Sequence, residues 1–301
     1  MKNVIIITHL NDYKNIKISV IVSVYKDSEA LELILNSLLN QTINDFDIII
    51  SEDCKSEEMK NFLEQYKNNP RITHLFQEDN GWQKNIALNK AVRNAKGDYL
   101  IFLDGDILPY SDFVQKHRDN ITHSRILCGK RVELGSFFSK LIRKKYLNAF
   151  WLEKLYWLFL PFLALDKARH VEEGAKLKKG SSLEKKLNKK RPMIIGCNFS
   201  CFKKDLEFIN GFDEDYTTPS VGEDIDLTWR FQYFDIDSKS VRYLANTFHL
   251  YHPRTWNKET VDNNNKIMKK KWDNEEFICY NGLVKKEKNL KKEKTEKKEN
   301  K

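Results

Sequence analysis

The chain has 301 residues, of which 41% are hydrophobic and 32% are charged, and its net charge is +9. This composition is typical of a soluble globular domain with a sizeable core, and it excludes a disordered chain or a polytopic membrane protein. The longest uncharged apolar run, 155–165, has 11 residues, which is too short to span a membrane. The N-terminal segment lacks a signal-peptide cleavage site, and the five cysteines show no metal-binding spacing, so we expect a cytoplasmic protein with reduced thiols.

Strand and helix patterns alternate through the first third of the chain. Residues 17–25, KISVIVSVY, are apolar on both faces, as in a buried parallel strand. The apolar stripe over 28–40 then predicts a helix. Further strands are predicted at 46–51, 72–77 and 99–103, and further helices at 57–67 and 82–95. This alternation predicts an α/β fold with a mostly parallel sheet covered by helices, and any ligand would lie at the carboxyl ends of the strands.

The pattern changes after residue 112. Residues 136–191 predict a helical insertion whose aromatic centre has basic flanks. Residues 192–284 are globular again, with predicted strands at 193–201 and 240–249 and a predicted helix at 224–234. We therefore expect one domain over 15–284, followed by a disordered Lys/Glu tail over 285–301.

Positive charge is concentrated in two segments. Residues 140–191 carry a net charge of +10 and residues 285–301 carry +5, whereas the remainder is acidic. A nucleic-acid-binding domain would carry basic residues on a folded reading surface, so we expect no nucleic acid partner. The aromatic residues within 140–191 permit two interpretations, namely ordinary core packing or in-plane contact with an anionic membrane.

Acidic residues follow the predicted strands or open a predicted helix. Asp53 follows the second strand, Asp104-Gly105-Asp106 follows the fourth, and Glu223-Asp224 opens the helix EDIDLTWRF. Two carboxylates separated by one glycine can hold a divalent cation and bridge it to phosphate, and such oxygen ligands suit Mg²⁺ or Mn²⁺. We expect Gly105 to allow close approach of the backbone to a ligand. By itself the tripeptide is also compatible with a turn that carries two solvated acids.

Several motifs in order carry a family resemblance. SVIVSVYKDSEALELILNSLLNQT, DFDIIISEDCKSEE and DNGWQKNIALNKAVRNAKGDYLIFLDGDILP resemble the nucleotide-sugar-binding half of inverting glycosyltransferases of family 2, which have the GT-A fold. GCNFSCFKKDLEFINGFDEDYTTPSVGEDIDLTWR resembles their galactosyltransferase-like acceptor module. The resemblance covers 17–112 as the donor half and 192–255 as the acceptor and catalytic half, with 136–191 inserted between them.

The resemblance implies a role for each acidic residue. Asp53, with Glu52 beside it, matches the acid that hydrogen-bonds the nucleotide base, and Asp104 and Asp106 match the metal and diphosphate motif. Asp224 matches the base that takes the acceptor proton, and Glu223 would bind the acceptor sugar. The resemblance further implies Mn²⁺ or Mg²⁺ as cofactor, with His249 or His252 as a third ligand and His249 favoured because it ends a strand-like run. The other residues implied in the donor site are Val24, Tyr25, Lys84 and Asn89.

The implied function is inverting transfer of a sugar from a nucleotide-diphosphate sugar, such as a UDP-sugar, to a glycan or lipid-linked glycan. Direct displacement needs one base and neutralisation of the departing diphosphate, which matches the residue types. A role in bacterial surface polysaccharide or lipopolysaccharide synthesis, at the inner face of the cytoplasmic membrane, follows as an expectation. The alternatives are a non-enzymatic module that binds anionic membranes or an acidic partner, and a DxD phosphatase, whose motif normally continues with Thr where this chain has Ile107.

Two departures from the family pattern concern the donor and acceptor loops. Gln83 follows Trp82 where an Arg is common, so Lys84 is the candidate for the missing positive charge. Residues 218–222 replace a common GWG segment before Glu223-Asp224.

Overall fold

The computed structural model describes residues 13–219, 223–253 and 257–286. The predicted alternation is present, and its strands lie within two residues of the predicted bounds. The first elements are β1 Ile18–Val24, α1 Ser28–Leu39, β2 Phe46–Glu52, α2 Glu57–Leu63, β3 Ile72–Phe76, α3 Lys84–Asn94 and β4 Tyr99–Asp104. Every residue of β1 is buried, as expected for a parallel strand covered on both faces.

Short elements and the helical insertion follow. They are β5 Ile107–Pro109, α4 Phe113–Asn120, β6 Arg125–Cys128, β7 Val132–Glu133, α5 Ser136–Arg143, α6 Ala149–Lys154, α7 Tyr156–Leu165 and α8 Ser182–Leu187. The last part holds β8 Asn198–Phe202, α9 Lys203–Phe208, α10 Glu223–Tyr233, β9 Asp237–Ser240, β10 Thr247–His249 and α11 Lys258–Asp273.

The main sheet has the strand order β3-β2-β1-β4-β8-β6-β9. β1 lies parallel to both β2 and β4, with Val24 opposite Glu52 and Ser23 opposite Asp104. This register brings the ends of β2 and β4 to the same edge of the sheet. β8 runs antiparallel to β4 and pairs Asn198 with Leu103, so the turn before β8 reaches that edge too.

A second sheet completes the edge. β10 lies between β5, to which it is antiparallel, and β7, to which it is parallel. His249 in β10 is opposite Ile107 in β5 and Glu133 in β7. This pairing brings His249 next to the segment that contains Asp106. The short strands β5, β6 and β7 were not predicted from the sequence.

A buried ion pair fixes α10 against the end of the described chain. Arg230 is fully buried, and its Nη1 atom lies 2.8 Å from Oδ2 of Asp226 one turn earlier. The same guanidinium donates to the carbonyl oxygens of Gly211, at 2.9 Å, and Phe277, at 3.2 Å. These bonds satisfy a charge that would otherwise be costly to bury.

The insertion is helical, but much of its apolar surface is exposed. Only Tyr156 and Leu163 are buried in α7, whereas Trp157 is 68% and Leu165 is 80% exposed. The interpretation of these aromatics as ordinary core therefore fits Tyr156 and Phe159, which pack against the core, but not Trp157 and Phe162, which are exposed. Among the described residues, no helix combines the length and apolarity that crossing a membrane requires. Most of the predicted disordered tail, 287–301, lies outside the described residues.

Candidate active site

A cleft of about 780 Å³ opens at the carboxyl edge of the sheet. This cleft is lined by Asp104 at the end of β4, by Asp106 just after it, by Asp224 in the first turn of α10, and by His249 and His252 at and after the end of β10. A second cavity, of about 580 Å³, lies between α1 and α6 and contains none of the predicted site residues. The large cleft is therefore the candidate active site.

The two carboxylates of the DGD segment face different partners. Oδ1 of Asp104 lies 2.8 Å from Nζ of Lys84. Oδ2 of Asp106 lies 3.2 Å from Nε2 of His249 and 3.1 Å from Nε2 of His252. Lys84 thus brings a positive charge to the motif, as we expected from the absence of Arg at position 83.

Gly105 lies directly against β1. A Cβ atom at this position would lie 2.8 Å from the carbonyl oxygen of Ser23 and 3.0 Å from Cα of Val24. The backbone of β1 therefore approaches Gly105 closely, and close approach of a ligand stays a prediction. A side chain here would displace the DGD segment from the sheet.

Asp106, His249 and His252 form a possible metal site. Each offers one ligand atom, and these atoms lie within 4.8 Å of one another. Burial by itself would raise the pKa of Asp106, but its hydrogen bonds with the two histidines hold the pKa below its ordinary value. The hydrogen bond to Asp106 in turn raises the pKa of His252 to about 9. His252 is therefore protonated at neutral pH, and metal binding would release this proton.

The ligand set fits a first-row divalent cation. Carboxylate oxygen suits both Mg²⁺ and Mn²⁺, whereas imidazole nitrogen favours a softer ion than Mg²⁺. We expected Asp104 and Asp106 with one histidine, preferably His249. The geometry brings both histidines to Asp106, and among the described residues Asp104 does not belong to this group.

Asp53 lies at the donor end of the sheet edge and is 4% exposed. Its Oδ1 accepts a hydrogen bond from Nε2 of Gln77 at 2.6 Å, and its Oδ2 accepts one from the backbone N–H of Gln83 at 2.8 Å. Burial raises the pKa of Asp53, and these hydrogen bonds partly offset that effect. Its backbone N–H donates to the carbonyl of Val24, and the neighbouring Tyr25 is half exposed.

Two predicted donor-site residues have structural roles instead. Glu52 is 1% exposed, and its carboxylate accepts from the backbone N–H of Ser56 at 3.0 Å and contacts Nε2 of His74 at 2.7 Å. Asn89 is fully buried and bonds to the backbone of Phe212 through both its amide nitrogen and its oxygen. The prediction that these side chains contact the donor is therefore corrected, because the fold already occupies their polar atoms.

Asp224 lies in the first turn of α10 and faces a small cavity that Lys84 and Asp104 also line. Its Oδ1 accepts from the N–H of Ile225 at 2.9 Å, and its Oδ2 lies 3.4 Å from the N–H of Gly196. Burial raises the pKa of Asp224, and the hydrogen bonds from Gly196 and Ile225 lower it in part. A carboxylate with a raised pKa in a cleft suits proton abstraction. The side chain of Glu223 lies outside the described residues.

Basic side chains on another part of the cleft were missed by our sequence analysis. Arg131 lies between β6 and β7, and its Nη2 atom is 3.2 Å from Oε1 of Glu133. Arg169, which follows α7, also contacts Glu133. The residues come from separate loops, so no local motif marks them. The basic side chains of this part of the cleft are Lys130, Arg131, Arg169, Lys190 and Arg242.

Comparison with known protein families identifies the family of this chain. Residues 19–208, more than half of the chain, match the model for glycosyl transferase family 2. The chain belongs to this family. Residues 180–253 match a model described as the N-terminal domain of galactosyltransferase. The predicted resemblance is thus confirmed for both halves.

Relatives and solved structures agree with this assignment. The chain is 26% identical over 232 residues to a chondroitin synthase of Pasteurella multocida, an alignment that covers 72% of this chain and 23% of that protein. Staphylococcus aureus TarS matches with a TM-score of 0.54 at 15% identity, over 85% of this chain and 39% of TarS. GalNAc-T7 with UDP, GalNAc and Mn²⁺ matches with a TM-score of 0.54 at 15% identity, over 85% of this chain and 48% of its own. These structures confirm the GT-A fold, and the chain spans less than half the length of each of the three proteins.

Proposed function

We propose that this family member is an inverting glycosyltransferase that uses Mn²⁺ and a UDP-sugar to extend a glycan of a bacterial surface polysaccharide. The observation that carries the proposal is the position of Asp224 in the same cleft as the Asp106–His249–His252 triad. A base for the acceptor and a cation site for the departing diphosphate are the two requirements of direct displacement.

Each of these side chains has its own role in the proposed reaction. Asp106, His249 and His252 would hold the cation, which when bound neutralises charge on the departing nucleoside diphosphate. Lys84 lies beside Asp104 at the same edge and presents an ammonium group to phosphate oxygens. Asp224 accepts the proton of the acceptor hydroxyl as that oxygen attacks the anomeric carbon from the face opposite the diphosphate. Attack from that face inverts the anomeric configuration and requires no second carboxylate.

The compared proteins support the donor and product classes. The GalNAc-T7 structure contains UDP and Mn²⁺, and the chondroitin synthase is named for a polysaccharide product. The imidazole ligands of the triad favour Mn²⁺ over Mg²⁺. A phosphatase that uses the first Asp of DGD as nucleophile is disfavoured, because residues 19–208 match a glycosyl transferase family.

We also propose that the enzyme acts at the inner face of the cytoplasmic membrane on a lipid-linked glycan. The insertion presents an exposed set of large apolar side chains, which we call the apolar helical surface: Phe137, Trp151, Trp157, Leu158, Phe162 and Leu165. Exposed Lys140, Lys144 and Lys154 flank it. A helix with aromatic and leucine side chains beside lysines suits the headgroup boundary of anionic lipid. Because Arg169 in the cleft follows Leu165 by four residues, the Leu165 end of this surface lies within about 15 Å of the cleft along the chain.

The test of the proposed reaction is a panel of nucleotide sugars with the full chain and Mn²⁺. We expect one donor to release nucleoside diphosphate, and chelation by EDTA to stop the release. Proton NMR of a transfer product should show the anomeric configuration opposite to that of the donor. Retention of configuration, or no turnover of any donor, would overturn the proposal.

A further inference from the structure

One side of the cleft carries five basic side chains. We call its five basic side chains, Lys130, Arg131, Arg169, Lys190 and Arg242, the cationic wall. They come from four separate loops, after β6, α7, α8 and β9, which the fold brings to one surface. Like charges collected from distant parts of a chain repel one another, and a ligand of opposite charge that binds between them would offset this repulsion.

Carboxylates of the protein neutralise only part of this charge. Glu133 is shared between Arg131 and Arg169. Nε of Arg242 lies 3.0 Å from Oε2 of Glu173, a buried residue behind the wall. Lys130 and Lys190 have no ion pair with any residue that the structure describes. Two carboxylates thus face five cations, and three positive charges remain.

The other carboxylates of the cleft form ion pairs elsewhere or are assigned to catalysis, so we do not count them as partners of the cationic wall. Asp104 pairs with Lys84, and Asp106 contacts the two histidines. Asp224 has to stay available for the acceptor hydroxyl if it is the base. In the proposed reaction the donor diphosphate binds the cation and Lys84. The donor therefore does not account for the positive charge of the cationic wall.

We propose that the acceptor is an anionic glycan whose phosphate or carboxylate group binds the cationic wall while its hydroxyl reaches Asp224. This inference rests on the proposed function and names the acceptor class. Guanidinium groups match the geometry of both anions through paired hydrogen bonds. A cleft of about 780 Å³ has room for sugar residues beside the donor.

The test measures binding of matched acceptor fragments by calorimetry in the presence of UDP and Mn²⁺. One pair is a uronate-containing tetrasaccharide and its carboxyl-reduced form, and the other is a glycerol-phosphate trimer and its dephosphorylated form. We expect the wild type to bind the charged member of one pair about tenfold more tightly than its neutral partner, with the preference falling at high salt. The pair that shows the preference identifies the anion as carboxylate or phosphate.

The variant combines Arg169→Gln and Lys190→Gln, both of which alter exposed side chains. It should lose the preference for the charged fragment and bind UDP within about twofold of the wild type. The control combines Lys185→Gln and Lys186→Gln, which remove the same charge from the exposed face of α8 outside the cleft, and it should keep the preference.

Three results would overturn the inference. The first is equal binding of charged and neutral fragments by the wild type. The second is a control that loses the preference as fully as the cleft variant, and the third is a cleft variant that loses affinity for UDP instead. Since these measurements need no turnover, they are separate from the proposed reaction, which fails if the wild type turns over no nucleotide sugar.

Discussion

The Nζ atom of Lys84 lies 2.8 Å from Oδ1 of Asp104, whereas the other aspartate of the same motif faces two histidines. The two acids of the DGD segment therefore have different electrostatic surroundings. Asp104 forms an ion pair with a lysine at the start of α3, whereas Asp106 belongs to the candidate cation site. Substitutions at the two positions should differ in their effects.

Replacing Asp106 with Asn should lower the Mn²⁺-dependent affinity for UDP by about 10- to 100-fold, because the triad loses its only carboxylate. Isothermal calorimetry of UDP with and without Mn²⁺ measures this effect. Asp119→Asn, on the exposed face of α4, is the matched control and should bind like the wild type. Unchanged affinity in Asp106→Asn would remove the metal role from this residue.

Replacing Lys84 with Met should weaken UDP binding by about tenfold, because the charge beside Asp104 is lost while the length of the side chain is kept. Lys84→Arg should retain most of the affinity, since it preserves the charge. The same calorimetric titration distinguishes them. If the Met variant binds UDP as tightly as the wild type, Lys84 serves only to balance Asp104.

Replacing Asp224 with Asn should reduce transfer by about 10²- to 10⁴-fold and leave UDP affinity unchanged, because only the base is removed. Burial raises the pKa of Asp224, so the wild-type rate should rise with pH through a value above that of an exposed aspartate, which is about 3.9. The residual rate of the variant should lack this rise. A variant with the wild-type rate would show that another group is the base.

The apolar helical surface should bind vesicles that contain anionic lipid, and binding should weaken at high salt, because each nearby basic residue contributes about 1 kcal/mol. In a flotation assay, Trp157→Ser combined with Phe162→Ser and Leu165→Ser should release the protein. Phe208→Ser, which changes an exposed aromatic residue in α9, should not. If the wild type does not bind anionic vesicles at low salt and light scattering shows a dimer, a second copy of the chain covers this surface.

His117 should make stability fall in mildly acidic solution. Burial lowers the pKa of this residue to about 4, whereas an unfolded histidine titrates near 6.5. The unfolded chain therefore binds a proton that the folded chain excludes, so the free energy of unfolding falls by about 3 kcal/mol as pH drops from about 6.5 to 4. Urea unfolding between pH 7.5 and 4.5 measures the slope, which should be smaller in His117→Gln and unchanged in a His123→Gln control. Equal slopes in all three proteins would contradict the assignment.

The first half of the fold could be predicted because each element carries its own pattern. β1 is apolar at nearly every position, and all seven of its residues are buried. The two-residue strand β7, Val132–Glu133, has no periodicity, since it exists only through pairing with β10. For the same reason the basic residues beside it could not be located.

Among the predicted site acids, Asp104, Asp106 and Asp224 line the cleft, whereas Asp53 is not among its lining residues. The direction of the side chains was not predictable. Asn89 and Lys84 belong to the same helix, yet Asn89 bonds inward to Phe212 and Lys84 reaches Asp104. His249 and His252 meet at Asp106 through the irregular segment that follows β10, and the sequence does not indicate this meeting. α7 is apolar around its whole circumference, so periodicity could not assign its exposed face.

The position of Arg230 has a practical consequence for where a recombinant chain can end. This residue lies in the same helix as Asp224, and it donates to the carbonyl of Phe277, whose ring stacks on Tyr233 with 3.5 Å between the centroids. A protein truncated after residue 276 would keep every residue of the cleft. It would nevertheless leave a buried guanidinium short of an acceptor, at a cost of about 1–3 kcal/mol, and it would remove the aromatic contact at the end of α10. Residues 277–286 therefore contribute to the stability of the domain that holds the cleft, although none of them is among the residues that line it.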